Sequence, residues 1–278
     1  METVRTITDL RARLNDWRKS GQKIGLVPTM GGLHDGHLSL VEKSRSCCNR
    51  TVATLFVNPT QFAPHEDFAK YVRDEAGDLA KFEGAGADLI FAPNVAEIYP
   101  DGHSTKIEVQ GISQVLEGEF RPHFFSGVAT VVAKLLLQTL PDVAVFGEKD
   151  YQQLCVIKSM VRDLDIPVNI LGAATIRERD GLAMSSRNKY LNADERQIAP
   201  ALYRTITTIA ENVRDGQNPA AQRSWAEAEL TRAGFGAVDY VAVRDSDTLE
   251  PVNDASRPAR ALAAAWLGST RLIDNVAI

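Results

Sequence analysis

Up to about residue 176, short apolar runs bounded by turn residues alternate with stretches whose apolar positions recur every three or four residues. The runs lie at 23–27, 51–57, 88–92, 142–146 and 168–171, and each is short enough for a strand buried on both faces. Between them the spacing is helical; Leu154, Ile157, Val161 and Leu164 form one such stripe. Strand and helix in alternation predict a parallel sheet with helices on both faces, in which ligands bind outside the carboxyl ends of the strands. The polar segments follow those ends: residues 28–37 after the first run, Asn58-Pro59-Thr60-Gln61-Phe62 after the second, and Gly147-Glu148-Lys149-Asp150 after the run that closes on Phe146. Three loops are therefore expected to meet at one edge of the sheet.

The pattern changes after residue 176. Asn192 with Glu195 three residues later has the form of a capping box, and Ile198, Leu202, Ile206, Ile209 and Val213 give the following helix one apolar face. Asn218-Pro219 starts another helix, with proline in its first turn. Residues 238–243, 261–267 and 271–274 read as an antiparallel β portion. The expected architecture is α/β: a Rossmann-like parallel-sheet domain over 1–176, whose strand ends would take the ligand, and a smaller C-terminal α+β domain over 177–278 that could close over it as a lid.

Composition narrows the function classes. At 278 residues, 44% hydrophobic and 24% charged, the chain has the make-up of a globular protein with a large core. A net charge of −5 argues against a dedicated nucleic-acid binder and favours small-molecule partners. No run of about 18 apolar residues occurs, so no membrane span is expected, and Met1-Glu2-Thr3-Val4-Arg5 does not begin a signal peptide. The three cysteines, Cys47, Cys48 and Cys155, form neither a disulfide framework nor a zinc spacing, and are expected to be buried thiols in a reduced, cytoplasmic setting.

The chemistry concentrates in Met30-Gly31-Gly32-Leu33-His34-Asp35-Gly36-His37, a glycine-rich turn between a strand and a helix. His34 and His37 are open to three readings: polar loop residues, metal ligands or phosphate contacts. Zinc requires three or four protein ligands, and no partner pattern accompanies the pair. For phosphate, the glycines allow close backbone approach, the helix N-terminus offers free N–H groups, and the imidazoles add donors. The turn is neither a dehydrogenase fingerprint nor a P-loop. In Met184-Ser185-Ser186-Arg187, two hydroxyls beside an arginine match phosphate oxygens, although such residues are also ordinary in surface loops. Lys149 adds a cation. Gln61 and Gln153 add amides that do no acid–base work but can fix the hydroxyls and carboxylate of a polar substrate. No Ser-His-Asp or Cys-His arrangement suggests a covalent enzyme intermediate.

Four segments, Pro28-Thr29-Met30-Gly31-Gly32-Leu33-His34-Asp35-Gly36-His37, Phe56-Val57-Asn58-Pro59-Thr60-Gln61-Phe62, Phe146-Gly147-Glu148-Lys149-Asp150-Tyr151-Gln152-Gln153 and residues 180–188, occur in an order and spacing that resemble the pantothenate synthetases (pantoate–β-alanine ligases) of the nucleotidyltransferase superfamily. The resemblance implies ATP-dependent condensation of pantoate with β-alanine through a pantoyl adenylate, with Mg²⁺, in a cytoplasmic homodimer. It implies that Met30, Gly31, Gly32, Leu33, His34, Asp35, Gly36, His37, Gly147, Glu148, Lys149, Asp150, Met184, Ser185, Ser186 and Arg187 bind ATP, with Ile176 beside the adenine. His34, His37 and Lys149 take catalytic positions, His37 as proton donor; Gln61 and Gln153 hold pantoate, Gln61 also near β-alanine; Asp78 lies near Mg²⁺. The chain departs from the family pattern at Gly32, where alanine is usual, at Val72, where proline is common, and at Arg121-Pro122-His123-Phe124-Phe125, where Phe124 replaces a histidine. Another adenylate-forming enzyme, such as a class I aminoacyl-tRNA synthetase, and a non-catalytic nucleotide-binding module are the competing readings.

Overall fold

Apolar runs buried on both faces build the sheet at the centre of the molecule. The computed structural model describes residues 1–63, 68 and 71–278. Strands β1 (Glu2–Val4), β2 (Ile24–Thr29), β3 (Arg50–Leu55), β4 (Leu89–Phe91), β5 (Val143–Gly147) and β6 (Asn169–Ala173) form one sheet in the order β1-β4-β3-β2-β5-β6. Every pairing in it is parallel. The expected runs are all strands. The short edge strand β1 comes in addition to them: three residues carry too little pattern to separate a strand from a loop.

Alternation along the strands divides the core. Ile24, Leu26, Val52, Leu89, Phe91, Ala144 and Phe146 face one side, against α1 (Ile7–Lys19) and residues of two later helices; Val27, Ala53, Ile90, Val143 and Val145 face the other, against α2 (Asp35–Arg45) and α3 (Glu75–Ala85). After β4 the chain passes through two single turns, α4 (Val95–Ile98) and α5 (Glu117–Phe120), then the long helix α6 (Phe124–Thr139) and, beyond β5, α7 (Tyr151–Asp163). In α7, Leu154, Ile157 and Val161 are buried as the stripe predicts, but Leu164 is 52% exposed. The helix has ended by then, with Leu164 as its C-cap, so the periodicity no longer applies.

The second unit has its own core. The capping box is present, with Glu195 N–H donating to Asn192 Oδ1 at 2.9 Å and Asn192 N–H donating to Glu195 Oε2 at 2.9 Å. The predicted continuous helix is broken into α8 (Ala193–Ile198) and α9 (Ala201–Arg214), because Pro200 has no N–H to continue the ladder. Asn218 and Pro219 open a short 3₁₀ turn that leads into α10 (Gln222–Ala233). Strands β7 (Val238–Asp245), β8 (Ala259–Leu267) and β9 (Thr270–Ala277) pair antiparallel in sequence order. Leu202, Ile206, Ile209 and Val213 of α9 pack against this sheet, where the small side chains Ala259, Ala261, Ala263 and Ala265 of β8 contribute to the core.

The thiols depart from expectation. Cys155 is buried, but Cys47 and Cys48, just beyond α2, are only half-buried; all three are free. The loop that carries Gln61 is fixed by a close approach. Asn58 Nδ2 donates to Gly127 O of α6 at 3.1 Å. A Cβ on Gly127 would stand 2.5 Å from Thr60 O and 2.8 Å from Gln61 Cα, both backbone atoms. Gly127→Ala should therefore destabilise the fold by about 1–3 kcal/mol, as overpacking does, and displace the Gln61 loop. Urea denaturation checks this; an unchanged midpoint would mean that helix and loop are not in close contact.

Candidate functional site

The turn after β2 owes its shape to a buried carboxylate. Gly31 and Gly32 adopt φ of 92° and 67°, which a side chain would strain. Glycine in place of the family's alanine at position 32 therefore suits the backbone found there. The N–H groups of Gly32 and Leu33 donate to Asp78 Oδ2 and Oδ1 at 2.8 and 2.9 Å, and Lys81 Nζ, one turn along α3, donates to Leu33 O at 2.8 Å. Asp78 is 1% exposed and sits behind the turn, not in the cleft in front of it.

His34 is the N-cap of α2, with an extended backbone, and His37 lies in its first turn. The rings stand 4.1 Å apart. His34 N–H donates to His37 Nδ1 at 3.3 Å, so His37 carries its proton on Nε2. Burial is the main force on both rings. It lowers His34 to about 3, with His37 and Lys149 adding repulsion, and His37 to about 4, where Asp150 opposes the shift while Lys149 and Lys81 reinforce it. Both rings are neutral near pH 7.

The second signature comes back to the first across a hairpin. Met184 N–H donates to Ile176 O at 2.9 Å, and Arg177 and Ala183 bridge within the hairpin. Ser185 Oγ accepts from Arg187 N–H at 3.3 Å and opens a short 3₁₀ turn. The two signatures touch: a Cβ built on Gly36 would lie 3.7 Å from Met184 Cβ, and one on Gly32 would lie 3.5 Å from Ser186 Cβ.

Between them opens a cleft of ≈ 970 Å³, large enough for a nucleotide and a small substrate. Met30, Gly36, His34, His37, Gln61, Gly147, Lys149, Asp150, Gln153, Ile176, Met184, Ser185, Ser186 and Arg187 line it. Gly31, Gly32, Leu33, Asp35 and Glu148, expected there, do not. The two glycines and Leu33 are buried within the turn, and Asp35 is exposed. Glu148 faces the second unit, where its Oε2 pairs with Arg260 at 2.7 Å. Gln61 is held by Asn58 of its own motif and, through it, by Tyr99, which motif spacing misses. Its Oε1 accepts from Asn58 Nδ2 at 2.9 Å, and Asn58 Oδ1 accepts from the Tyr99 hydroxyl at 2.8 Å. At the departure from the family pattern, Phe124 lines the cleft beneath the Arg121 guanidinium, 3.9 Å from the ring centre. His123 is exposed and does not line the cleft.

No cluster of three or more His, Cys, Asp or Glu side chains exists among the described residues. A Mg²⁺ carried largely by phosphate oxygens and water needs only one or two carboxylates. Asp150 is a carboxylate in the cleft wall; both oxygens of Asp78 are engaged by the turn.

A family model described as pantoate–β-alanine ligase matches residues 2–277. Proteins named pantothenate synthetase from Rhodospirillum rubrum and Paramagnetospirillum magneticum are 54% and 55% identical over 275 residues, covering 99% of this chain and 98% and 97% of theirs. The crystal structure of pantothenate synthetase from Thermus thermophilus superposes with a TM-score of 0.94 at 46% identity, covering 99% of both chains. That of pantoate–β-alanine ligase from Francisella tularensis, complexed with β-γ ATP and β-alanine, does so with a TM-score of 0.83 at 35% identity, covering 99% of this chain and 97% of that one. A match that runs almost end to end places this chain in the pantoate–β-alanine ligase family.

Proposed function

We propose that this chain condenses pantoate with β-alanine to pantothenate at the expense of ATP, through a pantoyl adenylate. The observation that carries the reading is the meeting of the His34–His37 turn, the Lys149 loop and the Met184–Arg187 loop around one cleft into which Gln61 and Gln153 also open. In the first step a pantoate carboxylate oxygen attacks the α-phosphorus of ATP, and the bond to pyrophosphate breaks. In the second, the β-alanine amine attacks the acyl carbon, the bond to AMP breaks, and the amine proton leaves.

The chain's own groups position the reactants and offset charge. Lys149 and Arg187 face the phosphates as cations, with the Ser185 and Ser186 hydroxyls as further donors. His37 acts as a neutral donor through Nε2–H. With a value near 4 it is neutral at pH 7 before ATP binds, so in that state its contribution is a hydrogen bond that strengthens as charge develops on the α-phosphoryl oxygens. His34 supports it from the N-cap. Gln61, oriented by Asn58, and Gln153 hold pantoate, Gln61 on the side where β-alanine enters; Ile176 flanks the adenine. Mg²⁺, when bound with ATP, supplies further charge neutralisation, with Asp150 the carboxylate best placed to approach it. Asp78 holds the turn that carries the histidines. A division at residues 176 and 177, read from the change of pattern there, a cytoplasmic setting, read from the cysteines, and a homodimer, implied by the family resemblance, belong to the same reading.

Incubation with ATP, Mg²⁺, D-pantoate and β-alanine should yield AMP and pantothenate in equal amounts; folded, ATP-binding protein that makes no pantothenate would sink the proposal. His37→Ala should slow pantoate-dependent pyrophosphate release by about 10²–10³-fold with the fold intact, and near-normal release would remove His37 from the mechanism. The histidines also predict a pH dependence. Their folded values, about 3 and 4, lie below the usual 6.5, so between about 4 and 6.5 the unfolded chain binds more protons. They contribute stability that is present above pH 6.5 and lost as pH falls towards 4. The urea midpoint of the wild type should drop across that window, and that of a His34→Gln, His37→Gln double variant should drop less; parallel curves would show that the rings are not buried neutral.

A further inference from the structure

The Lys149 loop is held from the second unit. Asn275, on β9, is 4% exposed. Its side-chain Nδ2 donates to the backbone carbonyls of Glu148 and Lys149, both at 2.9 Å. Its Oδ1 accepts from Arg260 Nη1 of β8, and Arg260 Nη2 pairs with Glu148 Oε2 at 2.7 Å. Arg260 also lies 3.8 Å over the Tyr151 ring, at the start of α7. Two consecutive carbonyls on one amide fix the peptide planes on both sides of the Lys149 Cα, and therefore the direction in which the lysine side chain leaves the backbone.

The neighbouring residue ties the other wall of the cleft to the same strand. Asp274 accepts from Arg177 through both oxygens, at 2.6 and 2.9 Å, and Arg177 follows Ile176 in the hairpin that leads to Met184. Consecutive residues of β9 thus fasten the Lys149 loop and the Ile176–Met184 hairpin.

We propose that Asn275 is a positioning residue that sets Lys149 for the triphosphate, so that this strand of the second unit is a working part of the nucleotide site. The inference rests on the reading of Lys149 as a phosphate contact. Asn275→Ala removes both hydrogen bonds while the lysine itself is retained. Its kcat/KM for ATP should fall about 10–100-fold, the scale expected for losing two partly buried hydrogen bonds, while KM for pantoate stays within about twofold. The decisive comparison is a double-mutant cycle with Lys149→Ala. If Asn275 acts through Lys149, removing it from the Lys149→Ala protein costs little more; general loosening of the fold would give the full loss again. Full additivity, or a wild-type rate for Asn275→Ala, would overturn the proposal. A wild-type rate for Lys149→Ala alone would overturn the underlying reading as well, whereas a slow Lys149→Ala beside a normal Asn275→Ala would sink only the positioning role. Should Asn275→Ala fail to fold, as judged by its thermal melt, Arg260→Met removes the ion pair to Glu148 and the partner of Asn275 Oδ1, and the same cycle against Lys149→Ala decides in the same way.

Discussion

The site depends on a change of direction in the sheet. From β2 the chain moves to β3 on one side; it later returns to β5 on the other side of β2 and continues outward to β6. Helix α2 leaves β2 over one face and α7 leaves β5 over the other. The connections diverge, and a crevice opens between the carboxyl ends of β2 and β5 that neither helix covers. His34 and His37 stand on one lip and Lys149 on the other. A fully wound sheet without this reversal would have covered both ends with crossover helices.

A crevice of this kind gathers charge, and this one sets groups of unequal character side by side. Burial keeps protons off both histidines and Lys149 adds its repulsion, so a cation and two neutral imidazoles face one another across the crevice. Two protonated rings beside a lysine would repel one another in a poorly solvated space. Neutral rings give donors that need no charge of their own until the ligand brings the opposite one. The cost of the turn's unusual backbone is met on the far side, where Asp78 satisfies two amides that the glycines turn inward. The front of the turn is left free to act because its back is fully bonded.

Much of this is legible in the sequence. The strand runs, the capping box at Asn192 and the convergence of three loops follow from local pattern, because hydrophobic period and turn chemistry are local properties. Sequence reading fails where the deciding partner lies far along the chain. Glu148 has the look of part of a phosphate loop, and nothing nearby in sequence reveals that Arg260 draws it away. Asn275 falls just past the run read as a strand over 271–274; only the fold brings its amide to two carbonyls more than 120 residues earlier. Asp78 shows the same limit: its hydrogen bonds to the turn lie 45 and 46 residues back along the chain. Pro200 is legible in principle, since proline forbids the ladder that a continuous helix needs there.

The second unit is then more than a cover. A lid that only excludes water could meet the first unit through interchangeable surface contacts. Here the contacts fall on the backbone carbonyl of Lys149, which lines the cleft, and on an arginine beside Ile176. Arg271 extends the pattern, pairing with Glu117 at 2.7 Å across the junction and with Asp239 at 2.6 Å within its own sheet. Ion pairs buried to this degree gain little net stability, because desolvation offsets most of their attraction. Their value lies in geometry: each fixes a loop in one arrangement relative to the sheet beside it. Catalysis by positioning requires that reacting groups be held before the substrate arrives. In this chain the holding is divided between two cores, one supplying the crevice and the other its rigid frame.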